Sequence, residues 1–346
     1  MAGSVRVGII GATGYGGGEL IRLLSRHPAA QLAGLQARDR SDEAIDLSHP
    51  HLATTGLRIA GALPDGLDAV FLGLPHGAAA ALVPDLLDRG VTVIDLGPDF
   101  RLRDRSDYPR WYGFEHPRPD LLERAVYGLP ELHREELAAL SSGDVRIVAS
   151  PGCYATTAIL SLAPLARAGL LDDVVVDAKS GVSGAGREAR PEMHFSEVNE
   201  SVKAYGVDGH RHVAEIEQEL GLAAGTGLAP VDFLPHLIPM TRGILAACHV
   251  KTGRPVDQAE LDELYHAAYD SEAFVEVVAT PPATKHVTGS NLFKVFARSD
   301  ARTGRVLVLG VLDNLVKGAA GQAIQAFNVV FGLPETSGLE QLPIAP

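Results

Sequence analysis

Cysteine is scarce in this chain of 346 residues, which has only Cys153 and Cys248. A disulfide framework uses more, so two reduced thiols in an intracellular protein are expected. Aromatic residues make up only 5%, while Gly (37) and Pro (22) are plentiful. That balance suits an α/β protein with many tight turns better than a β-sandwich. No stretch approaches the roughly 18 apolar residues of a membrane span. The N-terminus runs straight into a strand without a signal-peptide pattern, so a cytoplasmic protein with no membrane partner is expected. Positive charge is in deficit, with 30 Lys and Arg against 43 Asp and Glu, a net charge of −13. Such a surface argues against a nucleic-acid partner, although a local cluster of Arg, Lys and His still suits a small anionic substrate. No metal site is expected. With 46% hydrophobic and 21% charged residues, the chain has an ordinary globular composition and room for about two domains.

Cys153 stands in Ser150-Pro151-Gly152-Cys153-Tyr154-Ala155-Thr156-Thr157. An apolar run, residues 145–149, precedes it, and a helical pattern over 156–168 follows. The order is strand, turn, cysteine, helix. A thiol at a helix start is favoured as the thiolate. The competing reading is a small residue packed in a tight turn. Cys248 lies mid-strand in an apolar run and reads as core.

The first βα unit carries a dinucleotide pattern. A strand over 5–10 runs into Gly11-Ala12-Thr13-Gly14-Tyr15-Gly16-Gly17-Gly18, then a helix over 17–25. Glycines spaced as Gly11, Gly14 and Gly17 let the backbone approach a pyrophosphate at the helix start. Gly11, Thr13, Gly14, Tyr15 and Gly16 are the candidate contacts. After the second strand, 31–36, an NAD site would place Asp or Glu on the ribose. Here Ala37-Arg38-Asp39-Arg40 follows, and Arg38 and Arg40 suit a 2′-phosphate, hence NADP. The next strand, 68–74, ends at Leu74, Pro75 and His76, where a doubly wound sheet faces its ligand. The strand over 91–96 leads to Arg101, either an anion ligand or a surface arginine.

Residues 101–130 read as irregular, a covering segment, before a helix over 131–140. A strand over 174–178 precedes Lys179-Ser180-Gly181-Val182-Ser183-Gly184-Ala185-Gly186-Arg187, a Ser/Gly loop suited to nicotinamide or phosphate. Ser180, Gly181 and Gly184 are its candidate contacts. Gly209-His210-Arg211-His212 opens a helix over 213–220. His212 suits proton transfer near neutral pH, and a thiol nucleophile needs such an acceptor. Strands over 231–239 and 244–250, joined by the turn 240–243 that contains Arg242, read as antiparallel neighbours. A helix over 257–269 and strands over 275–278, 292–298 and 305–311 follow. The last helix, 319–331, is apolar on more than one face and is expected to return to the nucleotide domain, with Asn314 near the nicotinamide. This gives a nucleotide domain over 1–152 and 313–346 and a catalytic and dimerisation domain over 153–312. The thiol of Cys153 is then expected to face the cleft between them.

Taken together, GATGYGGGEL (11–20), LPHG (74–77), DFR (99–101), PGCYATT (151–157), SGVSGAGR (180–187), GHRH (209–212) and DNLVKGAAGQA (313–323) closely resemble the N-acetyl-gamma-glutamyl-phosphate reductases, within the aspartate-semialdehyde dehydrogenase superfamily. The resemblance covers essentially the full length. It implies a Rossmann-type doubly wound α/β sheet plus an α+β domain with a mixed, largely antiparallel sheet. It also implies NADPH, Cys153 as nucleophile, His212 as acid and base, and Arg101 near the substrate phosphate. His210 and Arg242 are the further substrate-side candidates. A homodimer or homotetramer is implied as well. Two departures stand out: Ala155 where Pro is common, and Gln36-Ala37-Arg38 in place of Ser-Arg. The related alpha-aminoadipyl-phosphate reductases, which act on a carrier-bound substrate in lysine biosynthesis, share segments such as 115–122. A Cys–His hydrolase leaves the Gly-rich βα turn unexplained. An NADP-binding regulatory protein has no need of a thiol at a helix start.

Overall fold

The computed structural model describes residues 4–38, 40–225 and 230–345. It divides into two compact units, Met1–Pro151 with Ala319–Glu340, and Gly152–Gly318 with Gln341–Pro346. The chain returns to the first unit at Ala319 rather than at 313, and its last residues belong with the second unit.

The first unit contains β1 (Val5–Ile10), α1 (Tyr15–Leu24), β2 (Ala30–Gln36), β3 (Ala69–Leu72), α2 (Ala79–Asp88), β4 (Thr92–Asp95), α3 (Asp107–Tyr112), α4 (Pro119–Leu122), β5 (Ala125–Tyr127), α5 (Pro130–Ala139) and β6 (Ile147–Ala149). Its sheet runs β2-β1-β3-β4-β6-β5 and is parallel throughout. β3 and β4 are buried at every position, as strands covered on both faces must be. The stretch 101–130 is less irregular than its composition suggests. It folds into α3 and α4 and supplies β5, which pairs with β6 at the sheet edge. The C-terminal helix, Gly321–Val330, belongs to this unit. Gln322 donates from Nε2 to the Gly128 carbonyl at 2.8 Å, and Gln325 donates to Glu131 at 2.9 Å. A π-helical turn over Val316–Ala320 precedes it, so the regular helix starts two residues later than its sequence pattern indicates.

The second unit contains α6 (Cys153–Arg167), β7 (Leu171–Gly181), α7 (Phe195–Val198), β8 (Lys203–Ala204), α8 (His212–Ala224), β9 (Val231–Ile238), β10 (Ile244–Thr252), α9 (Gln258–Tyr269), β11 (Val275–Val277), β12 (Phe293–Asp300) and β13 (Arg305–Leu312). The sheet order is β11-β12-β13-β10-β7-β9-β8. β11 pairs parallel with β12 and β7 with β9, while the other pairs are antiparallel. β9 and β10 are therefore not a hairpin. β7 lies between them, parallel to β9 and antiparallel to β10, and residues 240–243 step across it.

One face of this sheet is core: Val174, Val176, Ala178, Ala246, Cys248, Val250 and Val308 are buried under helices that include α6 and α9. α6 is buried from Tyr154 to Ala166 because small residues alternate with Leu and Ile along it. Pro164 lies inside this helix and has no N–H, which leaves the Leu160 carbonyl without its helical donor. The buried Tyr269 hydroxyl donates to that carbonyl at 2.5 Å. Tyr265 donates to the adjacent Ser161 carbonyl at 2.6 Å. A helix that would otherwise yield at proline is thus held on its sheet.

A cysteine and a histidine at two helix starts

Cys153 is the first residue of α6, not a loop residue ahead of it, with Gly152 as N-cap. The Pro-Gly pair that reads as a turn supplies the extended cap. Negative charge on a first-turn side chain is favoured there. Gly318 closes the other side: a Cβ on it would lie 2.8 Å from the Cβ of Cys153.

His212 is the first residue of α8 and is buried. Its imidazole covers the residue before the cysteine. A Cβ built on Gly152 would lie 2.3 Å from His212 Nε2 and 2.6 Å from its Cε1. Glu215, fully buried one turn further along α8, is 3.9 Å from His212 Nε2 through Oε1. Its Oε2 accepts the Gly152 N–H at 2.9 Å. One carboxylate thus ties the cap of α6 to the histidine of α8. Glu215 carries no motif of its own in the sequence, although it stands three residues after His212 on one helix, the spacing at which side chains meet.

His210 sits beside His212, with ring centroids 4.6 Å apart. The His212 N–H donates to His210 Nδ1 at 3.1 Å. Burial, helped by Arg211, pushes the His210 pKa down to about 4, so the ring is neutral near pH 7 and Nε2 carries its proton. Tyr154, Tyr205 and Phe233 complete an aromatic group around these rings. Tyr205 donates to the Tyr154 hydroxyl at 3.2 Å, and Tyr154 to the His236 carbonyl at 3.1 Å. Burial lifts both phenols, Tyr205 to about 12, so they remain neutral donors. Cys248 is fully buried, and desolvation raises its thiol to about 12.

The Ser/Gly loop is a bonded structure. Ser180 and Gly181 end β7, and a 3₁₀ turn spans Val182–Ala185. The N–H groups of Gly181, Val182 and Ser183 bond to Gly243, Met240 and Thr241 at 2.9, 2.9 and 3.2 Å. A Cβ at Gly181 would stand 2.8 Å from backbone atoms of Thr241 and Arg242. A Cβ on Gly184 would meet Ser180 Oγ at 3.2 Å. Asn314 pins both segments, accepting from the Gly243 N–H at 2.7 Å and donating to Ser183 Oγ at 2.9 Å. Arg242 lies 3.6 Å from the buried carboxylate of Asp313. The structure thus gathers Cys153, His210, His212, Ser180, Gly181, Gly184, Arg242 and Asn314 in one unit.

The remaining candidates lie in the first unit. Gly11 has φ +92°, and a Cβ there would fall 2.2 Å from the Gly73 carbonyl oxygen. A Cβ on Gly17 would meet the Gly11 oxygen at 2.3 Å. Gly14 caps α1, with Thr13 before it and Tyr15 and Gly16 opening the helix. This is a cradle that side chains would fill, at a helix N-terminus, and it fits a dinucleotide phosphate. Arg40 pairs with Glu43 at 3.0 Å, while Arg38 is exposed. Asp39 lies outside the described residues. Pro75 and His76 are exposed beyond β3, next to Leu74, and the His76 ring lies 6.0 Å from that of Tyr112. Arg101 is buried: Nε donates to Ser150 O and a terminal nitrogen to Leu96 O, both at 2.8 Å. Its guanidinium therefore already braces the strand ends before Cys153.

Residues 6–140 match the family profile of the semialdehyde dehydrogenase NAD-binding domain, and 153–314 that of the semialdehyde dehydrogenase dimerisation domain. An N-acetyl-gamma-glutamyl-phosphate reductase of Dehalococcoides mccartyi is 44% identical over 342 residues, 99% of each chain. One of Desulforudis audaxviator is 48% identical over 344 residues, 97% of this chain and 98% of the relative. Among solved structures, an aspartate semialdehyde dehydrogenase II of Vibrio cholerae complexed with ASA aligns with TM-score 0.71 at 19% identity, covering 96% of this chain and 99% of that one. An aspartate semialdehyde dehydrogenase with NADP from Candida albicans gives 0.70 at 16% identity, covering 95% and 98%. These two share the fold. With the fold, the two domain profiles and full-length relatives in agreement, the chain belongs to the N-acetyl-gamma-glutamyl-phosphate reductase family, the semialdehyde-forming oxidoreductases of arginine biosynthesis.

Proposed function

We propose that Cys153 is the nucleophile and His212 the acid–base group of an NADPH-dependent reduction of N-acetyl-gamma-glutamyl phosphate. The observation that carries this is the placement of His212 Nε2 over Gly152, the residue that caps the helix Cys153 begins. His212 takes the thiol proton, and the thiolate attacks the acyl carbon. The acyl–oxygen bond breaks and phosphate leaves, giving a thioester on Cys153. NADPH, which the 11–16 loop would hold, would supply the hydride for reduction of this thioester. Backbone N–H groups of the first turn of α6 favour the oxyanion of the thiohemiacetal. His212 moves the proton as the carbon–sulfur bond breaks and the semialdehyde leaves. Glu215, 3.9 Å away, favours the imidazolium while His212 holds the proton. His210 offers a neutral Nε2–H to the substrate, and Arg242 its charge.

Gly11, Thr13, Gly14, Tyr15 and Gly16 would hold the pyrophosphate. For the 2′-phosphate, Arg38 is the better candidate, because Arg40 is engaged with Glu43. Leu74, Pro75, His76, Ser180, Gly181, Gly184 and Asn314 stand as further cofactor-side residues. Arg101 is proposed for the substrate phosphate, its guanidinium held in place by its bonds to Leu96 and Ser150. The first unit would bind the nucleotide, and the second would carry catalysis and dimerisation.

A homo-oligomer is favoured by the second sheet. The face opposite its core carries half-buried Val175, Leu245, Ala247, Phe296, Leu307 and Leu309 among charged Asp177, Lys179, Lys294 and Arg298, a mixed apolar and charged surface suited to a second copy. A cytoplasmic location accords with two cysteines that form no disulfide. Among the described residues, no helix is long and apolar enough to cross a membrane.

The test is turnover of N-acetylglutamate semialdehyde with phosphate and NADP⁺, beside its aminoadipyl homologue, free and carrier-bound. Cys153→Ser should abolish it. Wild-type rates in that variant would overturn the mechanism, and a preference for the longer, carrier-bound substrate would move the chain to the lysine branch.

A further inference from the structure

The Gly-rich loop is braced by a histidine from outside the first βα unit. His49 is buried, at the start of the 3₁₀ turn Pro50–Thr55. Its Nε2 lies 3.0 Å from the carbonyl oxygen of Ala12. A carbonyl only accepts, so Nε2 carries the proton and donates. In a trans peptide the C=O and the following N–H point in opposite directions. A bond that draws the Ala12 carbonyl toward His49 therefore turns the Thr13 N–H the other way. The same ring explains Gly18, which the spacing of Gly11, Gly14 and Gly17 leaves unassigned. A Cβ on Gly18 would lie 2.6 to 2.9 Å from three atoms of the His49 ring. Gly18 is the place where α1 lets the imidazole in. The residue is itself fixed: its backbone N–H bonds to Ile45 O at 2.8 Å and its carbonyl accepts from Leu52 N–H at 2.8 Å, while the His51 ring packs edge-on against its imidazole at 5.8 Å.

We propose that His49 is a positioning residue for the cofactor, holding the 11–16 loop with its amides set for a pyrophosphate. This rests on the reading of that loop as the dinucleotide site. His49 bonds to the loop backbone through the Ala12 carbonyl, so its effect is expected on cofactor affinity and not on the chemical step.

The test is fluorescence titration of the cofactor-free protein with NADPH, and calorimetry with adenosine 2′-phosphate, which lacks the pyrophosphate. His49→Ala loses one net hydrogen bond, so NADPH affinity should fall on the order of 3- to 10-fold. Affinity for adenosine 2′-phosphate and kcat at saturating NADPH should stay unchanged. His49→Gln, whose amide can still donate, should recover most of the loss. Gly18→Ala should weaken NADPH binding by displacing the ring, and adding His49→Ala to it should cost nothing further. Unchanged NADPH affinity in His49→Ala, or equal weakening of both ligands, would overturn the proposal. A wild-type protein that does not bind NADPH would instead overturn the dinucleotide reading, and this proposal with it.

Discussion

Replacing Gly152 by alanine tests the site through a single methyl group. Gly152 has φ −70° and ψ 147°, which alanine adopts freely, so the backbone is not strained. The added Cβ, however, would stand 2.3 Å from His212 Nε2, 2.6 Å from Cε1 and 2.7 Å from Cδ2. Ordinary contact begins near 3.4 Å, so the imidazole must retreat by about 1.1 Å. It is a rigid ring at the start of a buried helix, and it cannot swing aside as a long chain would. Misplacement of a reacting group by about 1 Å costs roughly 100-fold in rate. The overpacking itself should cost about 1–3 kcal/mol of stability. We expect Gly152→Ala to lower kcat on the order of 100-fold, read as NADPH formation from semialdehyde, phosphate and NADP⁺. In a His212→Ala background the methyl has room, and its extra cost should vanish. A Gly152→Ala enzyme within about threefold of wild type, or an equal loss in the His212→Ala background, would refute the reasoning.

Other outcomes follow from single contacts. Glu215→Gln keeps an acceptor for the Gly152 N–H but removes the charge 3.9 Å from His212, so kcat should fall on the order of 10-fold or more with little loss of stability. Tyr269→Phe leaves the Leu160 carbonyl unsatisfied beside Pro164 and should cost about 1–3 kcal/mol in urea unfolding. Asp95 is fully buried, and desolvation, with Asp99 beside it, raises its pKa to about 7. The folded state then holds a proton that the unfolded state has released between pH 4 and 7, so stability falls as pH rises through that window. Asp95→Asn should therefore stabilise the protein at pH 8 by up to about 4 kcal/mol, and far less at pH 4, as seen in thermal midpoints at both pH values. Native protein at pH 7.5 should take up a single equivalent of iodoacetamide, on Cys153. Cys248 should react only after unfolding, because burial raises its thiol to about 12.

Local chemistry made much of this legible in the sequence. β1 and the Gly-rich loop are visible because strand, turn and helix lie within twenty residues and each glycine has a local reason. Cys153 and His212 stand out because both sit beside helix-start signals. The limits came where distant segments decide. The residues around 240–243 look like a hairpin turn, yet β7 (Leu171–Gly181), about sixty residues earlier, takes the place between β9 and β10. Sheet order is set by packing, which no local pattern encodes. The 101–130 stretch lacks periodicity because its elements are only three to six residues long. Arg101 was legible as a cation, but its bonds to two backbone carbonyls were not. Gly18 looked like one more glycine of the loop until His49, about thirty residues away, gave it a reason.

The central claim is a covalent acyl group on Cys153. Mixing the cofactor-free protein with N-acetyl-gamma-glutamyl phosphate and reading phosphate release and intact mass tests it directly. The account predicts one phosphate released per active site and an N-acetylglutamyl adduct mapped to Cys153, discharged when NADPH is added. Release without an adduct, or an adduct that persists in Cys153→Ser, would contradict it.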